Sequence, residues 1–348
     1  MKIAVYAIAR NEQEFVQRFV ESAYDAEHII IADTGSTDDT VRLAEDYDNV
    51  TVHHISIKPW RFDLARNAAL ALIPGDVDVC VSLDLDEVLV PGWREEIERV
   101  WEPDTTRLRY KFDWGHDIRF FYEKIHARHG YRWHHPCHEY PVPDARINER
   151  FAKTDMLLVR HLPDETKSRG QYLDLLKLAV TEDPRCPRNA FYYARELTFH
   201  RKWPEAAVAL HKYLDMPEAK WRNERSYAER LLGQAYQAMG SDEAGKHYAA
   251  ACNEAPHTRE PWVALGQYHH DCGQWAACLD AVQRALQVTD KEAVYTMDPK
   301  VWGAWPHDLA SVACWHLGRP ADGLHHLRAA LEHEPDNDRL RANEAQFA

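Results

Sequence analysis

Two kinds of hydrophobic pattern divide the chain. Up to about residue 160, short runs of consecutive apolar residues alternate with segments whose apolar residues recur every three or four positions. From about residue 188 only the second kind continues. Continuous apolar runs predict buried strands, and the three-to-four spacing predicts helices with one buried face. The chain is therefore expected to fold as two successive parts.

The first part predicts strands and helices in alternation. The predicted strands are residues 2–9, 28–33, 50–55 and 77–86, and the predicted helices are residues 12–24, 37–47 and 62–73. Strands that are apolar throughout and are separated by helices form a parallel sheet that is covered on both faces. Ligands of such sheets bind beyond the carboxyl ends of the strands, so functional residues are expected at that edge.

The second part repeats a pair of helices. Gly233 and Gly240 recur as Gly266 and Gly273 at one common offset, which is close to the roughly 34-residue period of tetratricopeptide repeats. Weaker copies cover residues 190–217 and 309–335. Four imperfect copies predict a short helical solenoid, with an ordinary helical bundle as the alternative.

Composition and charge limit the classes of protein to consider. The chain has 348 residues, a formal net charge of −14 and seven scattered cysteines. The negative charge disfavours nucleic acid as a partner, because non-specific binding to phosphates needs clustered Lys and Arg. The cysteines form no CxxC pair, and we find neither a signal peptide nor a transmembrane segment. We therefore expect a cytoplasmic protein with reduced thiols.

Acidic residues follow the second and the fourth predicted strand. Asp33 precedes a turn at Gly35, while Asp84, Asp86 and Glu87 close the fourth strand. The carboxyl ends of parallel strands share one edge, and a D-x-D at a strand end points both side chains the same way. Close carboxylates repel unless a cation lies between them, and their oxygens suit Mg²⁺ or Mn²⁺ with positions left for substrate phosphates. The pattern predicts a metal and phosphate site, with a helix-capping loop and a solvated strand end as alternatives.

These motifs resemble those of the family 2 glycosyltransferases of the GT-A fold. The matching segments are "ARNE" (9–12), "ADTGSTDDT" (32–40), "FDLARNAAL" (62–70), "DLDEVLVP" (84–91), "KIHARHGYRWHHPCHEY" (124–140) and "VRHLPDETKSRGQYLDLL" (159–176). The last two are similar to a bacterial subgroup whose transferase often precedes tetratricopeptide repeats, as in peptide S-glycosyltransferases of the sublancin type. The resemblance implies an α/β, GT-A (Rossmann-like, mostly parallel) domain at residues 1–165. A helical linker and an all-α, tetratricopeptide-repeat-like domain follow at residues 166–348.

The same resemblance implies an activity and the residues that carry it. The implied activity is a metal-dependent, inverting transfer of a sugar from a nucleotide donor, which the resemblance implies to be UDP-linked, with Mn²⁺ or Mg²⁺ as the metal. The nucleotide pocket is implied to be lined by Ala9, Asn11, Glu12 and Asp33, with Asp63 and Arg66 on the uracil side. Asp84 is implied to approach the ribose or the metal, Asp86 and His161 to hold the metal, and Arg169 to contact the diphosphate.

The catalytic base is assigned by position in the chain. The acid pair that heads the acceptor helix in many family 2 enzymes is not evident, and His138 and Glu139 occupy a similar place. We expect Glu139 to take the acceptor proton and His138 to orient it or to contact phosphate. Glu87 either supports its neighbours or contacts the acceptor.

A histidine cluster lies just before this pair. It comprises His126, His129, His134, His135 and His138. With Tyr131 and Trp133 between them, these residues are expected to form an active-site wall that stacks on a sugar ring. A zinc site lacks the usual two-pair ligand spacing, and a packed loop is the remaining alternative.

Two rival functions and several partners stay open. One rival is a repeat-based protein-binding scaffold with a vestigial transferase domain, and the other is a nucleotidyltransferase, which would usually carry an N-terminal glycine-rich loop. The repeats favour a peptide or protein partner or a homodimer, and a glycan acceptor is also open. An insertion at 288–308 carries Tyr295, Trp302 and Trp305 among turn formers, and we expect it to face the acceptor groove or a second subunit.

Overall fold

The protein is known from a computed structural model that describes residues 1–115, 117–163, 170–344 and 346–347. The chain divides into two compact units, Met1–Ala179 and Val180–Ala348. The predicted domain boundary between residues 165 and 166 lies outside the described residues. In the described part of the chain, no helix is long and apolar enough to cross a bilayer.

The first unit is built on a mixed β-sheet with flanking helices. Its described strands are β1 (Ile3–Ala9), β2 (His28–Asp33), β3 (Val50–His54), β4 (Val79–Ser82), β5 (Glu87–Leu89), β6 (Arg107–Gly115), β7 (Ile118–Ala127), β8 (Tyr131–His134), β9 (Tyr140–Pro143) and β10 (Phe151–His161). Its described helices are α1 (Gln13–Ser22), α2 (Thr40–Glu45), α3 (Phe62–Ala71), α4 (Trp93–Val100) and α5 (Tyr172–Glu182), the last of which runs into the second unit.

The strand order of the main sheet is β3-β2-β1-β4-β7-β6-β10-β5. The first four strands are parallel, and their carboxyl ends meet at one edge, where Ala9 is in register with Asp33 and Asp33 with His54. Beyond them, β7 is antiparallel to β4 and to β6, β6 is parallel to β10, and β5 is antiparallel to β10. The predicted α/β domain with a mostly parallel, GT-A-like sheet is confirmed.

Alternation along β1 explains why the sheet is covered on both faces. Ile3, Val5 and Ala7 pack in one core with α1, whereas Ala4 and Tyr6 pack in a second core with α3. Successive side chains of a strand point to opposite faces, so a strand buried on both sides must be apolar throughout. The continuous apolar run that predicted β1 has this cause.

A buried hydrogen-bond chain links the small β8–β9 sheet to β1 and β7. Trp133 Nε1 donates to Tyr6 Oη at 2.8 Å, and Tyr6 Oη lies 2.9 Å from His126 Nε2. His126 Nδ1 donates to the carbonyl of Ala127 at 2.8 Å, so Nε2 is the acceptor of the tyrosine proton. Burial lowers the pKa of His126 to about 4, which keeps the ring neutral.

The second unit consists of antiparallel helix pairs. Its described helices are α6 (Pro187–Phe199), α7 (Trp203–Leu214), α8 (Arg222–Ala238), α9 (Ala244–Glu254), α10 (Arg259–Asp271), α11 (Trp275–Gln287), α12 (Ala304–His316), α13 (Pro320–His333) and α14 (Asp338–Glu344). Gly233 of α8 contacts the Tyr248 ring of α9, and Gly266 of α10 contacts Val282 of α11, so these glycines permit close helix packing. The predicted tetratricopeptide-repeat-like, all-α part is confirmed.

The same turn joins the two helices in all four pairs. Its central residue has a left-handed φ of 54° at Arg201, 71° at Gly240, and 69° at both Gly273 and Gly318. The next amide in each turn donates back across the helix end, for example Gln274 N to the His269 carbonyl at 2.8 Å. This is the Schellman ending, which favours glycine because an added Cβ is strained there. Of the four residues at this position, only Arg201 is not glycine.

Candidate active site

The loops after β1 and β2 are tied to each other at the carboxyl edge of the sheet. Asn11 has a left-handed φ of 55°. Its backbone N–H donates to Ser36 Oγ at 2.9 Å, and its side-chain Oδ1 accepts from Thr37 N at 2.7 Å. The Ala9 carbonyl accepts from Thr34 N at 2.9 Å, and Glu12 N donates to Thr40 Oγ1 at 2.7 Å. The predicted nucleotide residues Ala9, Asn11 and Glu12 therefore lie beside the loop that follows Asp33.

Asp33 is buried at the base of this pair of loops. Its carboxylate accepts hydrogen bonds from Gly35 N and Ser36 N at 3.1 Å each, and it lies 3.2 Å from His54 Nδ1. Burial opposes ionisation, but the bonds from Ser36, His54 and Gly35 outweigh it and lower the pKa of Asp33. Asp33 thus shapes the loop as an ionised acceptor and lies within the predicted pocket.

Asp63, at the start of α3, already has a partner. Arg61 donates to its two carboxylate oxygens from Nε at 3.0 Å and from Nη2 at 2.9 Å. Asp63 is also almost fully buried. The role of Asp63 at the uracil side of a nucleotide stays a prediction.

Arg66 of α3 connects two of the predicted site residues. Its Nη2 donates to Asp84 Oδ1 at 2.6 Å, its Nε donates to Glu139 Oε1, and its Nη1 lies 3.4 Å from Ser82 Oγ. The guanidinium also stacks on the Trp133 ring at 4.9 Å. Burial disfavours its charge, but Asp84 and Glu139 outweigh burial and raise the pKa of Arg66 well above its usual value.

A second cation approaches Asp84 from β7. Lys124 Nζ donates to Asp84 Oδ2 at 3.2 Å and to Glu87 Oε1 at 2.9 Å. Glu87 Oε2 accepts from the Asp84 backbone N–H at 3.0 Å. Burial alone would raise the pKa of Asp84, but Arg66 and Lys124 lower it far below its usual range. For Glu87, burial outweighs Lys124 and raises the pKa.

The D-x-D carboxylates leave the strand and take different partners. The strand β4 ends at Ser82, so Asp84 and Asp86 lie in the turn before β5. Asp84 contacts Arg66 and Lys124, whereas Asp86 Oδ2 lies 3.5 Å from His161 Nε2. The expectation that strand alternation directs both carboxylates to the same side is therefore wrong, because the strand has already ended.

Asp86 and His161 meet because β5 and β10 are paired. His161 is in register with Glu87, and Leu162 N donates to the Asp86 carbonyl at 2.7 Å. The imidazole packs on the Trp114 ring with 4.4 Å between centroids. Burial lowers the pKa of His161, but the hydrogen bond and charge of Asp86 outweigh it and raise the pKa above its ordinary value.

The predicted base lies in the loop between β8 and β9, which is held on α3. Glu139 binds Arg66, Phe62 N donates to the Pro136 carbonyl at 3.0 Å, and Asn67 exchanges two hydrogen bonds with the Trp133 backbone at 2.8 and 2.9 Å. His138 has a left-handed φ of 52°. Its ring lies 5.8 Å from that of Tyr172, at the start of α5. Helix α3 therefore fixes the position of both predicted catalytic residues.

The two aromatic rings and the first two histidines of the cluster do not form the expected sugar-stacking wall. Tyr131 and Trp133 are buried at 8% and 1% exposure, so their faces are unavailable to a ligand. His126 belongs to the buried chain described above, and His129 Nε2 binds the Gly75 carbonyl at 3.0 Å. The expectation of a wall is wrong because the alternating residues of β8 point into the core.

The geometry is that of a GT-A-like domain, with a loop pair after β1 and β2 beside an acidic turn between β4 and β5. Residues 5–136 match the family described as "Glycosyl transferase family 2". Over these residues the N-terminal unit is similar to the family 2 glycosyltransferases, as the motifs predicted.

Several solved structures are similar to the helical half. YrrB, described as a TPR protein with an unusual peptide-binding site, is 14% identical with a TM-score of 0.39, over 51% of this chain and 83% of that one. MamA is 14% identical with a TM-score of 0.38, over 48% and 83%. The C-terminal part of a TPR repeat-containing protein from Cytophaga hutchinsonii is 16% identical with a TM-score of 0.42, over 51% and 64%. The tetratricopeptide character of this unit rests on its own paired helices and repeated turns.

A divalent metal, which family 2 enzymes often use, can be tested against the residues present. Within the described ranges, no group of three or more His, Cys, Asp or Glu side chains is assembled to hold a metal. Asp86 and His161 nevertheless offer two ligand atoms 3.5 Å apart, near the roughly 3 Å between neighbouring ligands of Mg²⁺ at about 2.1 Å. Mg²⁺ commonly takes only one or two protein ligands and completes its shell with water and substrate phosphates. The Asp86–His161 pair fits a metal site of this kind, in which the protein supplies two ligands.

Lys124 was not among the predicted site residues, and the structure does not describe Arg169. Lys124 lies on β7 between the inward-facing Tyr122 and His126, and a lysine at an inward strand position is a signal for a buried ion pair. Arg169 lies outside the described residues, so its contact with a diphosphate stays a prediction.

Proposed function

We propose that the N-terminal unit is a metal-dependent, inverting glycosyltransferase that uses a UDP-sugar donor. The observation that carries the proposal is the approach of His161 to Asp86 at the same sheet edge as the Asn11 and Asp33 loops. A carboxylate and an imidazole beside the proposed nucleotide pocket suit a divalent cation that is bound to a diphosphate.

Each group has a distinct task in this proposal. Asp86 and His161 hold Mn²⁺ or Mg²⁺, which when bound offsets the charge that builds on the departing diphosphate. Asn11, Glu12, Asp33 and the Ala9 backbone line the base and ribose pocket, and Asp63 closes its uracil side. Arg66 and Lys124 hold Asp84 at a fixed position, because its two oxygens have separate cationic partners. Arg169 contacts the diphosphate.

Inversion requires one group to remove the acceptor proton as the acceptor attacks the anomeric carbon from the face opposite the leaving diphosphate. Glu139 is the proposed base, and His138, next to it in the same loop, orients it. The contact with Arg66 gives Glu139 a second possible task, which is to position Arg66 and through it Asp84. The two tasks predict different kinetics for a Glu139 variant.

The acceptor is proposed to be a peptide, a protein or a glycan. The helical repeats suit a protein partner, and they fit equally a scaffold whose transferase domain is vestigial. The geometry favours the enzyme over the scaffold, because a scaffold gains nothing from two buried cations that hold carboxylates at a sheet edge.

Donor hydrolysis tests the proposal without knowledge of the acceptor. Purified protein is incubated with a panel of UDP-sugars, each with Mn²⁺, with Mg²⁺ or with EDTA, and released UDP is measured. The proposal expects one donor to be hydrolysed only with metal, and UDP plus Mn²⁺ to raise the melting temperature. If neither UDP release nor a thermal shift depends on metal, the scaffold is the better description.

A further inference from the structure

The segment that joins α11 to α12 lies on the face formed by the first helices of the repeats. Residues 288–303, here called the joining segment, include a 3₁₀ turn at Pro299–Trp302. The Tyr295 ring stacks on Tyr192 of α6 with 6.2 Å between ring centroids, and it packs at a tilt against Trp221, just before α8, with 5.3 Å between centroids. The expectation that the insertion faces the acceptor groove or a second subunit is therefore wrong for Tyr295, which is engaged within its own unit.

That face is the inner side of the repeat array. Successive first helices contact each other, α6 with α8, α8 with α10 and α10 with α12. Within the described residues, successive second helices make far fewer contacts with one another. An array closes on the side where neighbouring helices approach most closely, and repeat proteins bind extended ligands on that concave side.

The side chains of the joining segment make specific contacts with these helices. Tyr295 Oη donates to Glu224 of α8, a carboxylate that also accepts from Tyr213 Oη at 2.8 Å. Three residues earlier, Glu292 accepts from Asn223 Nδ2 at 2.6 Å and lies 3.5 Å from His257 Nε2. The side-chain hydrogen bonds of the segment are thus concentrated at two residues, the carboxylate of Glu292 and the phenol of Tyr295.

The backbone of the segment is also bound, as that of a docked peptide is. Asp298 N donates to Glu260 Oε1 of α10 at 3.1 Å, and Arg230 of α8 reaches the Thr296 carbonyl at 3.5 Å. Thr296 and Met297 are both 7% exposed. The space left between segment and helices is about 10 Å³, room for at most one water molecule.

We propose that the inner face of the repeats is a peptide-binding groove and that the joining segment occupies it in cis as a stand-in ligand. The partner that the groove fits is an extended segment with the spacing Glu-x-x-Tyr. Its glutamate replaces Glu292 at Asn223 and His257, and its tyrosine replaces Tyr295 at Glu224. This groove is separate from the transferase chemistry proposed above.

Covalent linkage sets the affinity that a partner needs. A tethered segment acts at an effective concentration of the order of millimolar, so a partner peptide binds the intact chain weakly until the segment leaves. The apparent dissociation constant of the partner peptide equals its intrinsic constant divided by the fraction of molecules whose groove is empty.

A peptide added in trans tests the proposal on the full chain. Residues 289–297 are replaced by a Gly/Ser linker of equal length, and a fluorescent peptide with the sequence of residues 288–303 is titrated by anisotropy. We expect binding to this variant at least tenfold tighter than to the unaltered chain. The same peptide with Tyr295→Ala, and a scrambled peptide, should bind at least tenfold more weakly. Equal binding to both proteins, equal binding of all peptides, or no binding overturns the proposal.

A point variant covers the case in which the linker variant does not fold. Tyr295→Ala in the full chain releases the segment, so trypsin should cut at the exposed Lys291 at least tenfold faster, while the repeats still melt cooperatively. Tyr24→Ala, at an exposed tyrosine of the other unit, is the matched control with unchanged cleavage. If Tyr295→Ala instead unfolds the repeats without selective cleavage, the segment is part of the core and the proposal fails.

Discussion

His161 Nε2 lies 3.5 Å from Asp86 Oδ2, although the two residues belong to distant parts of the sequence. Pairing of β5 with β10 brings them together, and the Trp114 ring packs against the imidazole. The contact gives the proposed site two ligand atoms before any substrate arrives.

Asp86→Asn should reduce metal-stimulated UDP-sugar hydrolysis by at least about 100-fold, because an amide is a much weaker ligand for a hard cation. The far-ultraviolet circular dichroism and melting temperature should change little. Asp76→Asn, at an exposed carboxylate paired with Lys2, is the control that retains activity. Full metal-stimulated hydrolysis in Asp86→Asn would refute the site.

Glu139→Gln distinguishes a base from a positioning residue. If Glu139 is the base, UDP binding and metal-dependent donor hydrolysis persist while transfer to an acceptor falls by about 100-fold or more. If it only positions Arg66, both hydrolysis and UDP affinity fall together. Calorimetry with UDP and a coupled assay of UDP release separate these results, and unchanged transfer would exclude Glu139 as the base.

Arg66→Met should lower the free energy of unfolding by about 3 kcal/mol, since it removes the cation that binds Glu139 and leaves Asp84 with Lys124 alone. We take the lower end of the usual range because Asp84 is 37% exposed and therefore partly screened. Adding Glu139→Gln to this variant should recover part of the loss, which urea denaturation of both variants measures. Arg146→Met, in an exposed ion pair, is the control, with a change within about 0.5 kcal/mol.

Stability should fall on mild acidification because of His126. Its pKa is lowered to about 4 in the fold, whereas an unfolded histidine titrates near 6.5. The unfolded chain therefore takes up a proton first, and the contribution of His126 is present above about pH 6.5 and lost as pH falls towards 4. Between pH 7 and pH 5 we expect about 2 kcal/mol of loss from this group. His126→Gln, which does not titrate, should be less stable at pH 7. Its free energy of unfolding, measured by urea denaturation at each pH, should fall less between pH 7 and pH 5 than that of the parent. An equal fall in both proteins would contradict the assignment.

Arg201→Gly should stabilise the helical unit by roughly 0.5 to 1 kcal/mol. The residue holds the left-handed position that glycine fills in the other three turns, and glycine removes the strain of its Cβ. Gly273→Ala is the reciprocal control and should destabilise by about 1 kcal/mol, because nothing but backbone strain opposes the added carbon. A melting temperature of Arg201→Gly at or below that of the parent would contradict this reading.

The parallel half of the sheet could be predicted because its signal is local. Each of β1, β2 and β4 contains a continuous apolar run, and this continuity identified the strand without reference to any partner. The later strands carry charged residues at inward positions, such as Arg107 and Lys124, which obscure the pattern of a buried strand. The antiparallel pairing of β5 with β10 was not predicted, and the proximity of Asp86 and His161 was expected from the family resemblance alone.

The ion-pair network could not be predicted, because its members are distant in sequence and their contacts depend on tertiary packing. Arg66 was assigned to a nucleotide pocket and Glu139 to the base, yet nothing local indicated that they bind each other. The predicted common orientation of the D-x-D carboxylates was wrong for a simpler reason. The strand β4 ends at Ser82, so strand alternation no longer applies beyond it.

The anchoring of the β8–β9 loop on α3 bears on how the N-terminal unit responds to heat. The loop cannot leave without exposing the Arg66 guanidinium, the Asn67 amide and the Trp133 ring together. A partly open, folded form is therefore costly, and the predicted catalytic residues should stay in place until the domain itself melts. Residual activity and residual folded structure, followed side by side during a temperature ramp, should then decline along one curve.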